Sequence, residues 1–199
     1  MVYKNCPECE DKRYYIRRSS VEDAADLVRV YSDKKALPFM NSDNCNGDNF
    51  YTPTEEAMKQ RLEGWNWVYE HQEFVRFSIV DKTKDMVIGT IELFHRDGKD
   101  YFTDCGLLRL DLRSDYEETE VIYDILALIS SKAYEWFDCT MIATKAPIYE
   151  INRIEALKRL GYKKTKEKFY GQDGTAYCDY WCLIKKKEDI DVQNLSGRR

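Results

Sequence analysis

Residues 109–126 read RLDLRSDYEETEVIYDIL, and the way this stretch divides decides the architecture. Leu110 and Leu112 alternate with charged residues as the end of a strand does. Ile122, Ile125 and Leu126, followed by Ile129, Ala133 and Trp136, recur at helical spacing. A strand therefore passes through a short loop into a long helix. Such junctions often hold an anion, because the first N–H groups of the helix are unpaired and its dipole is positive there. Close approach of a backbone to a phosphate favours glycine, and the loop has none. From Asp111 to Glu120 there are five acids and one base, a local charge of −4. Acids in the first turn also complement the dipole of any helix. The stretch is open to two readings: an altered anion site, or an ordinary acidic helix start.

Working outward, the segments before it are strands. EFVRFSIV (73–80) alternates through Val75, Phe77 and Ile79; MVIGTIELFH (86–95) follows a polar turn. Asp97-Gly98 is a hairpin signal leading into YFTDCGLLRLDL (101–112). Further upstream, RYYIRR (13–18) is a short strand and Ser20 starts a helix with Asp23 as its capping-box partner. Thr52 is expected to cap a second helix, with Pro53 at its first position and Glu55 completing the box. Downstream lie the strand TMIATK (140–145), a helix opened by Pro147 and closed by Gly161 in LKRLGY, and two strands, KKTKEKFY (163–170) and TAYCDYWCLI (175–184). The order β-α-α-β-β-β-α-β-α-β-β predicts a mixed α+β sheet. An antiparallel meander comes first, a right-handed parallel crossover follows, and helices cover both faces.

The chain has 199 residues, 43% of them hydrophobic, which suits one domain with a sizeable core. Residues 1–12 and 187–199 read as polar and charged tails around a domain at 13–186. A net charge of −5 argues against a general nucleic-acid binder. No run of about 18 apolar residues offers a membrane span, and seven cysteines, an odd number, suit free thiols in a reducing compartment. A cytoplasmic protein is expected.

The order of elements and four segments carry a resemblance. YYIRRSSVEDAADLVRVY looks like the first strand and helix of the GNAT family of acyl-CoA-dependent N-acetyltransferases. VIGTIELF looks like its third strand, with the usual glycine after two apolar residues. LLRLDLRSDYEETEVIYDILALI sits where the family has its fourth strand, cofactor loop and third helix. RIEALKRLGYKKT looks like the end of its fourth helix and the strand after it. The resemblance spans about Tyr14 to Ile184. It implies a GNAT-like fold with a central sheet of about seven strands, acetyl-CoA or another acyl-CoA as co-substrate, and a small-molecule or peptide amine as acceptor. It also implies that Glu117, Glu118, Thr119, Glu120, Val121 and Ile122 occupy the cofactor-loop positions, and that Leu110, Asp111 and Leu112 lie beside the cofactor. Backbone N–H groups near Leu110 and Leu112 would face the acyl oxygen. The family often has Asn and Tyr on its fourth helix where this chain has Glu150 and Leu157; Asn152 lies two residues past the expected Asn and is the cofactor-side candidate there.

Such a reaction needs a base for the amine. Glu92 in TIELF and Asp104 in FTDCG are charged residues within apolar strands, where burial would raise their pKa. Trp65, Trp67, Tyr69 and the loop MNSDNCNGDNFY (40–51) fall where the family builds its acceptor wall; Trp65, at helical spacing, reads as core, and Trp67, Asn49 and Tyr51 are the candidates to meet the amine. CPEC at Cys6–Cys9 and CDYWC at Cys178–Cys182 could suggest zinc, but the first and last strands are not neighbours in the inferred sheet, so no metal is expected. A homodimer through the late aromatic strand, with Tyr177, Tyr180 and Trp181, is plausible. The glycine-free loop keeps a second class open: a GNAT-like module without catalysis that serves binding or interaction. A third is an unrelated α+β structural protein.

Overall fold

The computed structural model describes residues 2–40, 48–171 and 173–185. The chain opens with strands β1 (Cys9–Glu10) and β2 (Tyr14–Arg18), then helices α1 (Ala24–Tyr31), α2 (Leu37–Met40) and α3 (Glu55–Glu70). Strands β3 (Val75–Asp81), β4 (Met86–Arg96) and β5 (Cys105–Leu112) form the meander. Helix α4 (Thr119–Trp136), strand β6 (Met141–Lys145) and helix α5 (Ile151–Arg159) follow, then β7 (Lys163–Lys164), β8 (Phe169–Tyr170), β9 (Ala176–Tyr177) and β10 (Tyr180–Ile184). Eight strands make one sheet in the order β1-β2-β3-β4-β5-β6-β10-β7, and β8 pairs with β9 separately. The β5–β6 pair, joined through α4, is parallel; the other pairs are antiparallel.

Period-two alternation assigns the faces. Phe77, Ile79, Ile91, Leu93, Leu108 and Leu110 turn to one side and pack on Ile122, Ile125 and Ile129 of α4 and Leu157 of α5. Each buried side chain of this size contributes about 1.5–3 kcal/mol. Leu27, Val30 and Tyr31 of α1 pack with Met58, Leu62 and Trp65 of α3 on the opposite side. There the central strands present Arg76, Ser78, Thr90 and Asp111 instead, all buried.

Two glycines are required by geometry. A Cβ on Gly89 would lie 2.2 Å from the Asp111 carbonyl oxygen, so β4 and β5 can approach only without one. Gly161, at φ +90°, ends α5 in a conformation that side chains disfavour.

Several boundaries differ from expectation. The stretch expected as an N-terminal tail packs onto the molecule: Val2 and Cys9 are buried, and β1 pairs with β2. The C-terminal tail 187–199 lies outside the described residues. Thr54, not Thr52, caps α3, accepting from the Ala57 N–H at 3.3 Å. Thr52 is buried and accepts from Arg61 Nε at 3.1 Å. Asp97-Gly98 does not make a two-residue hairpin, because β4 ends at Arg96 and β5 begins at Cys105. Arg96 accounts for this: it holds the longer loop through Asp100 at 2.6 Å and the Phe102 carbonyl at 2.9 Å. The last two predicted strands each break in two; Asp179, at φ +67°, separates β9 from β10.

Candidate active site

The parallel pair β5–β6 is held at only three positions, Cys105↔Met141, Gly106↔Ile142 and Leu107↔Ala143. Beyond them the strands part. The Arg113 N–H donates to Ile88 on the β4 side at 3.0 Å. Alternation along β5 then turns the N–H groups of Leu110 and Leu112 toward the gap. A cleft of about 1040 Å³ opens there, with Leu108, Leu110, Thr144, Lys145, Glu150 and Arg153 in its wall.

On the α1–α3 side the wall is an ionic cluster. Asp111, fully buried, accepts from Tyr31 Oη at 2.8 Å, Arg76 Nη1 at 2.9 Å and Arg109 Nε at 3.0 Å. Arg76 also binds Glu92. The Trp65 ring lies 4.4 Å from the Arg76 guanidinium carbon, and the Phe50 ring 3.6 Å from that of Arg109. Charges this deep persist only when paired. Burial, followed by the Asp111 charge, raises the Tyr31 phenol above its ordinary range.

The predicted residues separate clearly. Glu92 lines the cleft but is clamped by Arg76. Asp104 does not line it: it precedes β5 in a turn at φ +49°, at the end where β5 and β6 are still paired, and accepts from Thr140 Oγ1 at 2.6 Å. Its position inside an apolar run marked a strand boundary rather than a buried acid. Leu110 lines the cleft. Leu112 does not line it; its side chain is in the core, and only the direction of its N–H relates it to the gap. Asp111, saturated by three donors, is structural and has no free face for a cofactor.

The loop before α4 is bound by its own protein. Glu117 forms a two-point ion pair with Arg153, both nearly buried. Asn152 donates to the Glu117 carbonyl at 2.5 Å and accepts from Thr119 Oγ1 at 3.3 Å. Glu120 pairs with Arg159, Glu118 is exposed, and Val121 and Ile122 turn into the core. The acids thus split between internal salt bridges and solvent. Asn152 ties α5 to this loop, and the side chains of Val121 and Ile122 are withheld from any cofactor. Glu117 supplies an anion where the resembled family admits a pyrophosphate, so the side chains of this loop do not fit that group in the usual way.

The loop before α3 and α3 itself divide between the cleft and the outer surface. Asp48, Phe50 and Trp65 line the cleft. Asn49 is exposed and accepts from the Tyr51 N–H at 3.0 Å. Tyr51 and Trp67 line a shallower groove on the outer side of α3, where Trp67 stacks on His71 at 3.8 Å. Residues 41–47 of that loop lie outside the described residues. The late aromatic strand is not an edge: β10 lies between β6 and β7, with Tyr180 and Trp181 buried. The two cysteine pairs sit toward opposite edges of the sheet.

Sequence reasoning met Glu150 only as a departure from the family's Asn and did not single out Arg153. Glu150 is the N-cap of α5, 4% exposed, and its Oε2 has no hydrogen-bond partner among the described residues. Burial, opposed by Arg153, pushes its carboxyl up to about 7. Burial works against the charge on Arg153, but Glu117, Glu150 and Asp111 together outweigh it, so its guanidinium is held protonated.

A parallel pair that parts midway, fed by a meander and bridged by a crossover helix, defines the class: the chain has the GNAT acyltransferase fold. It is similar to the ribosomal-protein-S5-alanine acetyltransferase from Vibrio fischeri, with 20% identity, 91% of this chain and 98% of that chain covered, and a TM-score of 0.66. It is similar also to an acetyltransferase of the GNAT family from Bacillus anthracis, with 11% identity, coverage of 89% and 98%, and a TM-score of 0.65. A third similar structure is Mycobacterium smegmatis RimJ in complex with CoA-disulfide, with 13% identity, coverage of 93% and 90%, and a TM-score of 0.66. No family model matches the sequence, and no curated protein matches it. Among the described residues no helix is long and apolar enough to cross a membrane.

Proposed function

We propose that this chain is an N-acyltransferase that moves an acyl group from acetyl-CoA, or another acyl-CoA, to the amine of a small molecule or peptide. The observation that carries the reading is the parted β5–β6 pair, with the Leu110 N–H facing a gap that opens into the cleft. A donor thioester laid along β5 would place its carbonyl oxygen on that N–H. There the N–H would stabilise the oxyanion formed when the amine attacks. The amine would approach from the side lined by Phe50, Trp65 and Glu92. Calorimetry with acetyl-CoA tests the reading. Saturable binding, weakened when Thr144 or Leu108 is enlarged to Trp in a folded protein, is the expected result. No heat at millimolar acetyl-CoA would remove the reading.

One observation favours a second reading, a GNAT-like binding module without catalysis. The Glu117–Arg153 pair fills the loop with internal charge where a donor's pyrophosphate would need room. Amine-dependent release of CoA thiol by the wild-type protein would eliminate that reading.

A further inference from the structure

Three acids beside the cleft are already engaged: Glu92 by Arg76, Asp48 by Arg61, and Asp111 by Arg76, Arg109 and Tyr31. Glu73 and Asp97, also in its wall, are exposed. Glu150 differs from both groups. It follows the tight turn at Pro147, where its N–H donates to the Pro147 carbonyl at 2.9 Å. As the N-cap of α5 it could spend its side chain on the helix, yet it makes no capping bond. Its carboxylate is instead buried in the cleft wall with Oε2 unpartnered. The charged groups facing it come from its own helix and from three adjoining elements. Arg153 on α5 is 3.9 Å away and committed to Glu117; Lys145 is on β6, Glu117 in the loop before α4, and Asp111 on β5. An isolated carboxylate oxygen in a polar cleft is costly unless something meets it there.

We propose that Glu150 is the catalytic base that receives the proton of the acceptor amine. The inference rests on the acyltransfer reading. The acceptor enters as an ammonium ion and gives one N–H proton to Glu150 Oε2. The freed nitrogen pair attacks the thioester carbon, and the carbonyl pair moves onto oxygen, facing the Leu110 N–H. Collapse breaks the C–S bond. The second nitrogen proton goes to the departing thiolate, giving amide and CoA thiol, and Glu150 returns its proton to solvent. The elevated proton affinity of this carboxyl, set chiefly by burial, matches a base working near neutrality.

The test compares wild type, Glu150→Gln and Glu92→Gln. Acetyl-CoA affinity is read by calorimetry, and thiol release is followed from pH 5.5 to 8.5 with short peptides and alkylamines as acceptors. Wild-type kcat/KM should rise with unit slope to a plateau above about pH 7. Glu150→Gln should lose that limb and fall about 10²- to 10⁴-fold in kcat while binding acetyl-CoA within twofold of wild type. Glu92→Gln should keep the limb. A limb that persists in Glu150→Gln overturns the proposal. Carbon NMR of labelled glutamate carboxyls provides a readout independent of turnover, and a Glu150 signal titrating below pH 5.5 also overturns it. Absence of acetyl-CoA binding in wild type and variants alike overturns the acyltransfer reading itself.

Discussion

At the scale of single residues, the cluster around Asp111 illustrates how a carboxylate can look like a ligand and be a keystone. Three donors converge on its two oxygens, and none of its surface meets solvent. Asp111→Ala should cost about 3–5 kcal/mol in urea denaturation, because Arg76 and Arg109 keep buried charge without their partner. Glu150 has the opposite character. Its folded-state pKa of about 7 lies above the ordinary 4.5, so between those values the folded protein binds more protons than the unfolded chain. Stability therefore falls as pH rises through that window, by about 3 kcal/mol in all. Glu150→Gln should flatten this slope. Denaturation midpoints of variant and wild type at pH 5 and pH 8 check the sign.

At the scale of elements, the junction at 109–126 is a strand, a short connection and a helix as its pattern predicts, the connection containing a 3₁₀ turn at Ser114–Tyr116 that the pattern did not mark. The meander, the crossover and the Gly161 stop were equally legible, because each rests on local periodicity or on one residue's backbone preference. The site was legible only in part. The resemblance pointed to the N–H groups near Leu110 and Leu112, and the alternation of β5 turns them toward the gap. Glu150 was not legible in this way, since an acid at a helix start ordinarily faces water. Its burial is tertiary: the helix it opens is tied through Arg153 to Glu117, more than thirty residues earlier in the chain. Within the acceptor-side stretches, the cleft is lined by Asp48, Phe50 and Trp65 and not by Asn49, Tyr51 and Trp67, because adjacent residues of a loop or helix face different sides. The Glu117–Arg153 bridge gives this scale its own prediction. Glu117→Gln should lower stability by a few kcal/mol, since Arg153 stays charged in a nearly dry site. It should also tighten CoA binding about fivefold, the effect of removing roughly 1 kcal/mol of repulsion from a phosphate. Glu118→Gln, at an exposed position, should do neither. Denaturation and calorimetry on the two variants separate the effects.

At the scale of the whole molecule, one sheet serves two cores of different chemistry. The α4–α5 side is almost wholly apolar, while the α1–α3 side carries charge at its centre. Strands β4 and β5 belong to both and have partners along nearly their full length. The two-residue pair β8–β9 stands outside the sheet. Amide hydrogen exchange should therefore be slowest in β4 and in the N–H groups of β5 that bond to β4, opening only with global unfolding, and fastest in β8–β9, with the Leu110 and Leu112 amides facing the gap exchanging early. Equal protection across both would contradict this hierarchy.

The stack of Trp65 on Arg76 has a practical consequence. The indole is sandwiched between a fixed cation and the cleft, 4.4 Å from the guanidinium carbon. Any solute that enters changes both the polarity and the local field around that ring. The protein thus carries an intrinsic optical reporter of cleft occupancy: the part of a ligand-induced emission change that disappears in Trp65→Phe, with Trp67, Trp136 and Trp181 as constant background, can screen unlabelled amines and thioesters.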